Sequence, residues 1–197
     1  LIPLEAKIEL IRKLSLTGLT NIEAGSFVSP KWVPQMADSA DIFAYINSHE
    51  SDMNTDRVRY SALTPSVQGL EFALQQNVKE VAVFGAASEA FSLKNINCSI
   101  DESLSRFDPV CKAALDQGLK VRGYVSCVLG CPYDGAVEPS KVKDVAHKLI
   151  DMGCYEISLG DTIGVGTPGS THNLLSYLLK DTSDGSALPA DKLAVHF

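Results

Sequence analysis

A chain of 197 residues with a net charge of -7 and a pI near 5.0 is a poor partner for nucleic acid or any other polyanion, and no apolar run approaches the roughly 20 residues that cross a bilayer. At 45% hydrophobic content it can bury one sizeable core, and no composition shift marks a second domain, so residues 1–197 read as a single domain that serves a small-molecule ligand. The five cysteines, Cys98, Cys111, Cys127, Cys131 and Cys154, are odd in number, form no C-x-x-C pair and fit a reducing compartment.

Leu1 stands where a methionine would open a chain, and Phe197 falls inside a strand-like run, so both ends read as cut. Pro3 to Leu16 places Leu4, Ile8, Ile11 and Leu14 on one face and a Glu9/Lys13 pair on the other, which predicts an amphipathic helix stopped by Gly18. A strand follows over Leu19 to Ala24, with Asn21 and Glu23 on one side and Ile22 and Ala24 on the other. The loop from Gly25 to Met36 carries Ser26 and the single tryptophan, Trp32. It reads equally as a substrate-covering loop and as a buried packing loop.

Residues 47 to 58 are polar and unpatterned, which predicts a solvated surface insertion with no role for His49. Tyr60 to Leu63 is a second strand, after which Thr64-Pro65 caps a helix to about Gln76. Val78 to Phe84 is a third, and Phe91 to Cys98 is a loop whose Lys94 and Asn95 are exposed candidates for a phosphate or amide contact. Ser99-Ile100-Asp101-Glu102 is a capping box for a helix that ends at Gly118.

Lys120 to Cys127 is a fourth strand, with Arg122, Tyr124 and Ser126 on one face and Val121, Gly123 and Val125 on the other. An arginine there needs a partner, because an unpaired interior charge is costly. Glu156 on the next strand is the expected one. Cys127 and Cys131 lack the companions that would complete a four-ligand metal set. Glu138-Pro139 opens a helix with Val142, Val145, Leu149 and Met152 on one stripe, His147 off it in solvent, and Gly153 at its end. Tyr155 to Gly160 is a fifth strand, and Asp161 sits where it stops. Gly160, Gly164 and Gly166 free the following backbone, and a helix restarts at Thr167-Pro168 and runs to about Lys180. Lys192 to Phe197 is a sixth strand with His196 at its carboxyl end.

Repeated strand, loop and helix with polar groups gathered at strand ends predicts an α/β fold with a parallel sheet. Doubly wound sheets and (β/α)8 barrels share this pattern. The polar or small face of several strands and the lack of a Gly-rich dinucleotide fingerprint favour the barrel. Six strands make it incomplete, since a full barrel takes about 250 residues.

The stretches Ser26 to Met36, Phe84 to Glu89, Lys94 to Ser99, Arg122 to Cys127 and Gly153 to Pro168 closely resemble the 3-hydroxy-3-methylglutaryl-CoA lyases, interrupted mainly at 47 to 58. The resemblance implies a metal-dependent carbon–carbon lyase that cleaves 3-hydroxy-3-methylglutaryl-CoA to acetyl-CoA and acetoacetate, in leucine degradation and ketone body formation. It implies Mg²⁺ or Mn²⁺, with His196 as a metal ligand from a His-x-His pair of which the chain holds only the first. It also implies catalytic roles for Asp161, Glu23 and Tyr124, and substrate contacts through Lys94, Asn95 and Ser26. A homodimer in the mitochondrial matrix is the family's usual setting, with a cytoplasmic or peroxisomal form as the alternative. The Arg-Asp-Gly segment, the asparagine and the loop cysteine of the family pattern have no counterpart here, so this chain alone is expected to bind metal weakly and to lack turnover. The rival reading is a non-catalytic CoA-binding or assembly module. A Schiff-base aldolase is weaker, because Lys31 and Lys94 lie in polar loops.

Overall fold

A computed structural model describes residues 1–183 and 185–197. Six strands follow one another in the sheet in chain order: β1 (Asn21–Ser26), β2 (Arg59–Leu63), β3 (Glu80–Ala86), β4 (Lys120–Ser126), β5 (Glu156–Gly160) and β6 (Leu193–His196). The pairs β1/β2, β2/β3, β4/β5 and β5/β6 are parallel. Helices α1 (Leu4–Ser15), α2 (Ser39–Ser48), α3 (Val67–Gln75), α4 (Glu89–Ile96), α5 (Ile100–Asp116), α6 (Pro139–Asp151) and α7 (Pro168–Leu178) alternate with them. This is an incomplete (β/α)8 barrel, as the strand-end pattern predicts. The chain forms two compact units, Leu1–Ala82 with Ala113–Lys120, and Val83–Lys112 with Val121–Phe197.

In the first unit β1 buries Ile22 and Ala24 and exposes Asn21 and Glu23, the expected alternation, with a register shift between Glu23 and Gly25. One element is new here and two expectations change. Residues 39–48 form α2, which buries Ile42, Phe43 and Ile46. The segment 49–58 is not simply solvated, because Met53 and Val58 are buried and the Tyr60 hydroxyl donates to Met53 O at 2.6 Å. The cap of α3 is Ser66, whose Oγ accepts Gly69 N–H, rather than Thr64-Pro65. A serine hydroxyl reaches the first free N–H groups, whereas Thr64 is held in the sheet by its N–H bond to Ala82 O.

In the second unit the Ser99/Glu102 capping box forms in both directions, at 2.9 and 3.1 Å. The stretch read as a loop over 91–98 is mostly helical. Ser88 caps α4 by accepting Phe91 N–H, and Asn97 ends it in the left-handed conformation. Lys94 and Asn95 are therefore exposed residues of a short helix. Helix α6 buries Val142, Val145 and Leu149 as predicted, and it also buries Lys143, which is 1% exposed. Its ammonium donates to Lys180 O at 2.7 Å, Thr182 Oγ1 at 2.6 Å and Gly185 O at 3.0 Å. His147 is half-buried rather than in solvent, because its Nε2 meets Ser186 O at 2.9 Å.

Candidate active site

The second unit gathers most of its chemistry on one face of β4, β5 and β6. Arg122 is in register with Glu156, Tyr124 with Ser158, and Gly160 with His196. Partners in a parallel pair share a side of the sheet, so period two carries Arg122, Tyr124, Glu156, Ser158 and His196 to the same face. The Arg122 and Glu156 heads meet at 2.8 Å, the contact expected from the sequence. Arg122 also lies over the Tyr124 ring, 5.2 Å from its centroid, and its Nη1 reaches the Tyr124 hydroxyl at 3.5 Å. The Tyr124 and His196 rings are 6.3 Å apart between centroids, tilted by 60°.

Asp161 follows β5, and its N–H donates to His196 O at 3.0 Å, which ties it to the end of β6. Its side chain folds the next turn. Oδ1 accepts Val165 N–H at 3.2 Å and Oδ2 accepts Gly166 N–H at 2.7 Å. Gly164 has φ +65°, and a Cβ on Gly166 would lie 2.8 Å from Asp161 Oδ2, so both glycines are needed for this turn. Thr167 then caps α7 in a reciprocal box with Ser170. A cavity of about 520 Å³ opens between Asp161, Gly166 and Thr167 on the loop, Thr171, His172 and Leu175 on α7, and Phe197.

Thr162 adds a contact that no sequence pattern signalled: its Oγ1 accepts Cys127 N–H at 2.7 Å, while Cys127 adopts φ +63°. Burial pushes the Cys127 thiol up to about 11. Burial also raises Cys131, but N–H donation from Asp134, the Ser88 hydroxyl and Tyr133 N–H together bring that thiol below its ordinary value. All five cysteines are free and buried.

Asp161, Tyr124 and His196 thus come together in one unit. Lys94 and Asn95 lie in the same unit on α4, not at a strand end. Glu23 and Ser26 belong to the first unit, Glu23 in register with Ser61 and Ser26 with Leu63. Trp32 is 80% exposed, whereas Phe27 of the same loop is buried and meets Phe43 with ring centroids 5.9 Å apart. The buried Lys143 sits on a helix with three oxygen acceptors, not at a strand end as an imine-forming lysine requires.

Among the described residues no group of three or more His, Cys, Asp or Glu side chains is placed to hold a metal ion. His196 is one imidazole, and the donor set present does not fit a divalent cation that needs about six ligands.

A carboxylate, a tyrosine and a histidine gathered toward the carboxyl ends of parallel strands are the arrangement of a (β/α) barrel fold. The chain belongs to the HMGL-like family, whose model matches residues 2–197. It is 55% identical over 196 residues to the mitochondrial hydroxymethylglutaryl-CoA lyase of Bos taurus, covering 100% of this chain and 57% of that protein. The crystal structure of hydroxymethylglutaryl-CoA lyase from Pseudomonas aeruginosa matches with a TM-score of 0.88 at 56% identity, covering 100% of this chain and 61% of that one. An HMG-CoA lyase from Acinetobacter baumannii, solved with coenzyme A and 3-methylmalate, matches with a TM-score of 0.85 at 28% identity, over 100% of this chain and 60% of that one. The chain therefore spans about three fifths of the length of these relatives.

Proposed function

We propose that residues 1–197 are one partial domain of a lyase that cleaves the carbon–carbon bond of 3-hydroxy-3-methylglutaryl-CoA, releasing acetoacetate and acetyl-CoA. The observation that carries this reading is Asp161, a carboxylate held at the end of β5 by two backbone N–H groups within a chain that matches the lyase family over nearly its full length. Asp161 accepts the proton of the tertiary hydroxyl. The resulting alkoxide becomes the ketone of acetoacetate as the bond to the thioester methylene breaks, and the acetyl-CoA enolate takes up a proton. Tyr124, with Arg122 over its ring, stabilises developing negative charge on oxygen. Glu23 positions charge beside the substrate, and Ser26, Lys94 and Asn95 hold it, the last two toward the CoA portion.

His196 would serve as one ligand if Mg²⁺ or Mn²⁺ were bound. Because the described residues do not complete a ligand set, residues 1–197 alone are expected to bind the CoA thioester without measurable turnover. The setting proposed is a homodimer of the mitochondrial matrix, serving leucine breakdown and ketone body formation.

The test is acetoacetate release from 3-hydroxy-3-methylglutaryl-CoA by the protein at its encoded length, with Mg²⁺ present. Activity is expected, with a loss of about 100-fold or more in Asp161→Asn. No release by the unsubstituted protein overturns the reading, and release by residues 1–197 alone overturns the expectation for those residues.

A further inference from the structure

Helix α4 presents Lys94 and Asn95, yet little apolar packing holds it. It is eight residues long, and the side chain it buries is that of Ser92, a polar residue. Two turns of helix are marginal in water by themselves, so the orientation of α4 depends on contacts from outside it.

Those contacts come from two sides of the second unit. Glu89 Oε2 accepts Ile100 N–H at 3.1 Å, which ties α4 to the start of α5. The other side is the loop after β4, the strand that carries Tyr124. Asp134 Oδ2 accepts the hydroxyl of Ser88, the α4 cap, at 2.7 Å and Ala90 N–H at 3.4 Å. A carboxylate thereby occupies the positive end of the helix. In the same loop the Tyr133 ring stands 6.5 Å from that of Phe91 on α4, centroid to centroid.

Asp134 is fixed in turn by its own loop. Cys131 and Gly135 exchange backbone hydrogen bonds at 2.8 and 3.0 Å. The buried Cys131 Sγ accepts Tyr133 N–H and Asp134 N–H, each at 3.3 Å.

We propose that Asp134 is a positioning residue for the coenzyme A portion of the substrate: its carboxylate pins the first turn of α4 and so sets where Lys94 and Asn95 stand. This rests on the lyase reading given above, in which those two side chains meet coenzyme A. Alanine at 134 would accept neither bond. Asparagine would keep an accepting oxygen and lose only the charge.

The test measures coenzyme A binding by calorimetry in the protein at its encoded length. The variants are Asp134→Ala, Asp134→Asn, the helix variant Lys94→Ala/Asn95→Ala, and that helix variant with Asp134→Ala added. Thermal unfolding checks that each is folded, as expected for an exposed Asp134. The helix variant is expected to bind about tenfold more weakly and Asp134→Ala about fivefold. Asp134→Asn should stay within about twofold of the unsubstituted protein. Adding Asp134→Ala to the helix variant should cost nothing further, because the groups it would misplace are already gone.

The same fold-loss from Asp134→Ala in both backgrounds overturns the proposal, because the carboxylate then serves the fold in general. A loss in Asp134→Asn as large as in Asp134→Ala overturns it too. If the unsubstituted protein does not bind coenzyme A, the lyase reading falls and the positioning role with it. If the helix variant binds normally, the contacts assigned to Lys94 and Asn95 fall, and the role of Asp134 with them. If the helix variant is weakened and Asp134→Ala is not, the role of Asp134 alone falls.

Discussion

Arg122 on β4 and Glu156 on β5 stand in register, and their charged heads meet at 2.8 Å with both side chains about a quarter exposed. Partial burial makes the pair stronger than a surface ion pair and leaves either partner costly to strand. A double-mutant cycle with Arg122→Met and Glu156→Gln, read by urea unfolding, is expected to give a coupling of about 1 kcal/mol. Additive single effects would contradict it.

The turn after β5 leaves no room for a side chain at Gly166, where a Cβ would sit 2.8 Å from both Asp161 Oδ2 and Leu129 Cδ1. Gly166→Ala should destabilise by about 1–3 kcal/mol and disturb the Asp161 carboxylate. Gly169, inside α7, is the control: its nearest neighbour is Thr167 Oγ1 at 3.9 Å. Gly169→Ala is expected to be neutral or to stabilise by about 0.5 kcal/mol. Thermal unfolding of the two variants side by side decides the matter.

Lys143 offers three donors to three oxygens in a site closed to solvent. Lys143→Met keeps the alkyl stem but leaves those acceptors without their donor. A loss of about 3 kcal/mol is expected in denaturant unfolding. A neutral effect would mean that water replaces the ammonium freely.

Glu9 on α1 lies 2.9 Å from Arg12 and 3.3 Å from Lys13, and their hydrogen bonds, Arg12's first, hold its carboxyl down to about 2. The unfolded chain titrates near the ordinary 4.5. A carboxyl lowered on folding stabilises above its unfolded value and loses that contribution as pH falls through its folded value. The difference in melting temperature between the unsubstituted protein and Glu9→Gln should therefore close between pH 4.5 and 2. A constant difference across that window would contradict the pairing.

Where a residue's neighbours lie two apart on a strand or three to four apart on a helix, the sequence already carried the answer. The facing of Ile22 and Glu23, the stripe of α6, the capping box at Ser99 and the Arg122 to Glu156 contact all followed from periodicity and charge. Helices α2 and α4 did not, because α2 runs into a polar segment that hides its end and α4 is one short stretch between two loops. Lys143 was illegible for another reason: a lysine is ordinarily exposed, and only the fold reveals the oxygens of Lys180, Thr182 and Gly185 that hold it. At the candidate site, Asp161 and His196 were visible as polar residues ending apolar runs. Asp134 gave no such signal, because its partners Ser88 and Ala90 lie far from it along the chain.

Asp161 spends both carboxylate oxygens on the N–H groups of Val165 and Gly166. In the proposed reaction the same group takes up a proton, and a neutral acid is a weaker acceptor than an anion. Under that proposal, proton uptake would weaken the hold of Asp161 on the Val165 and Gly166 N–H groups, coupling the chemistry to the order of the 161–166 turn that walls the adjoining cavity.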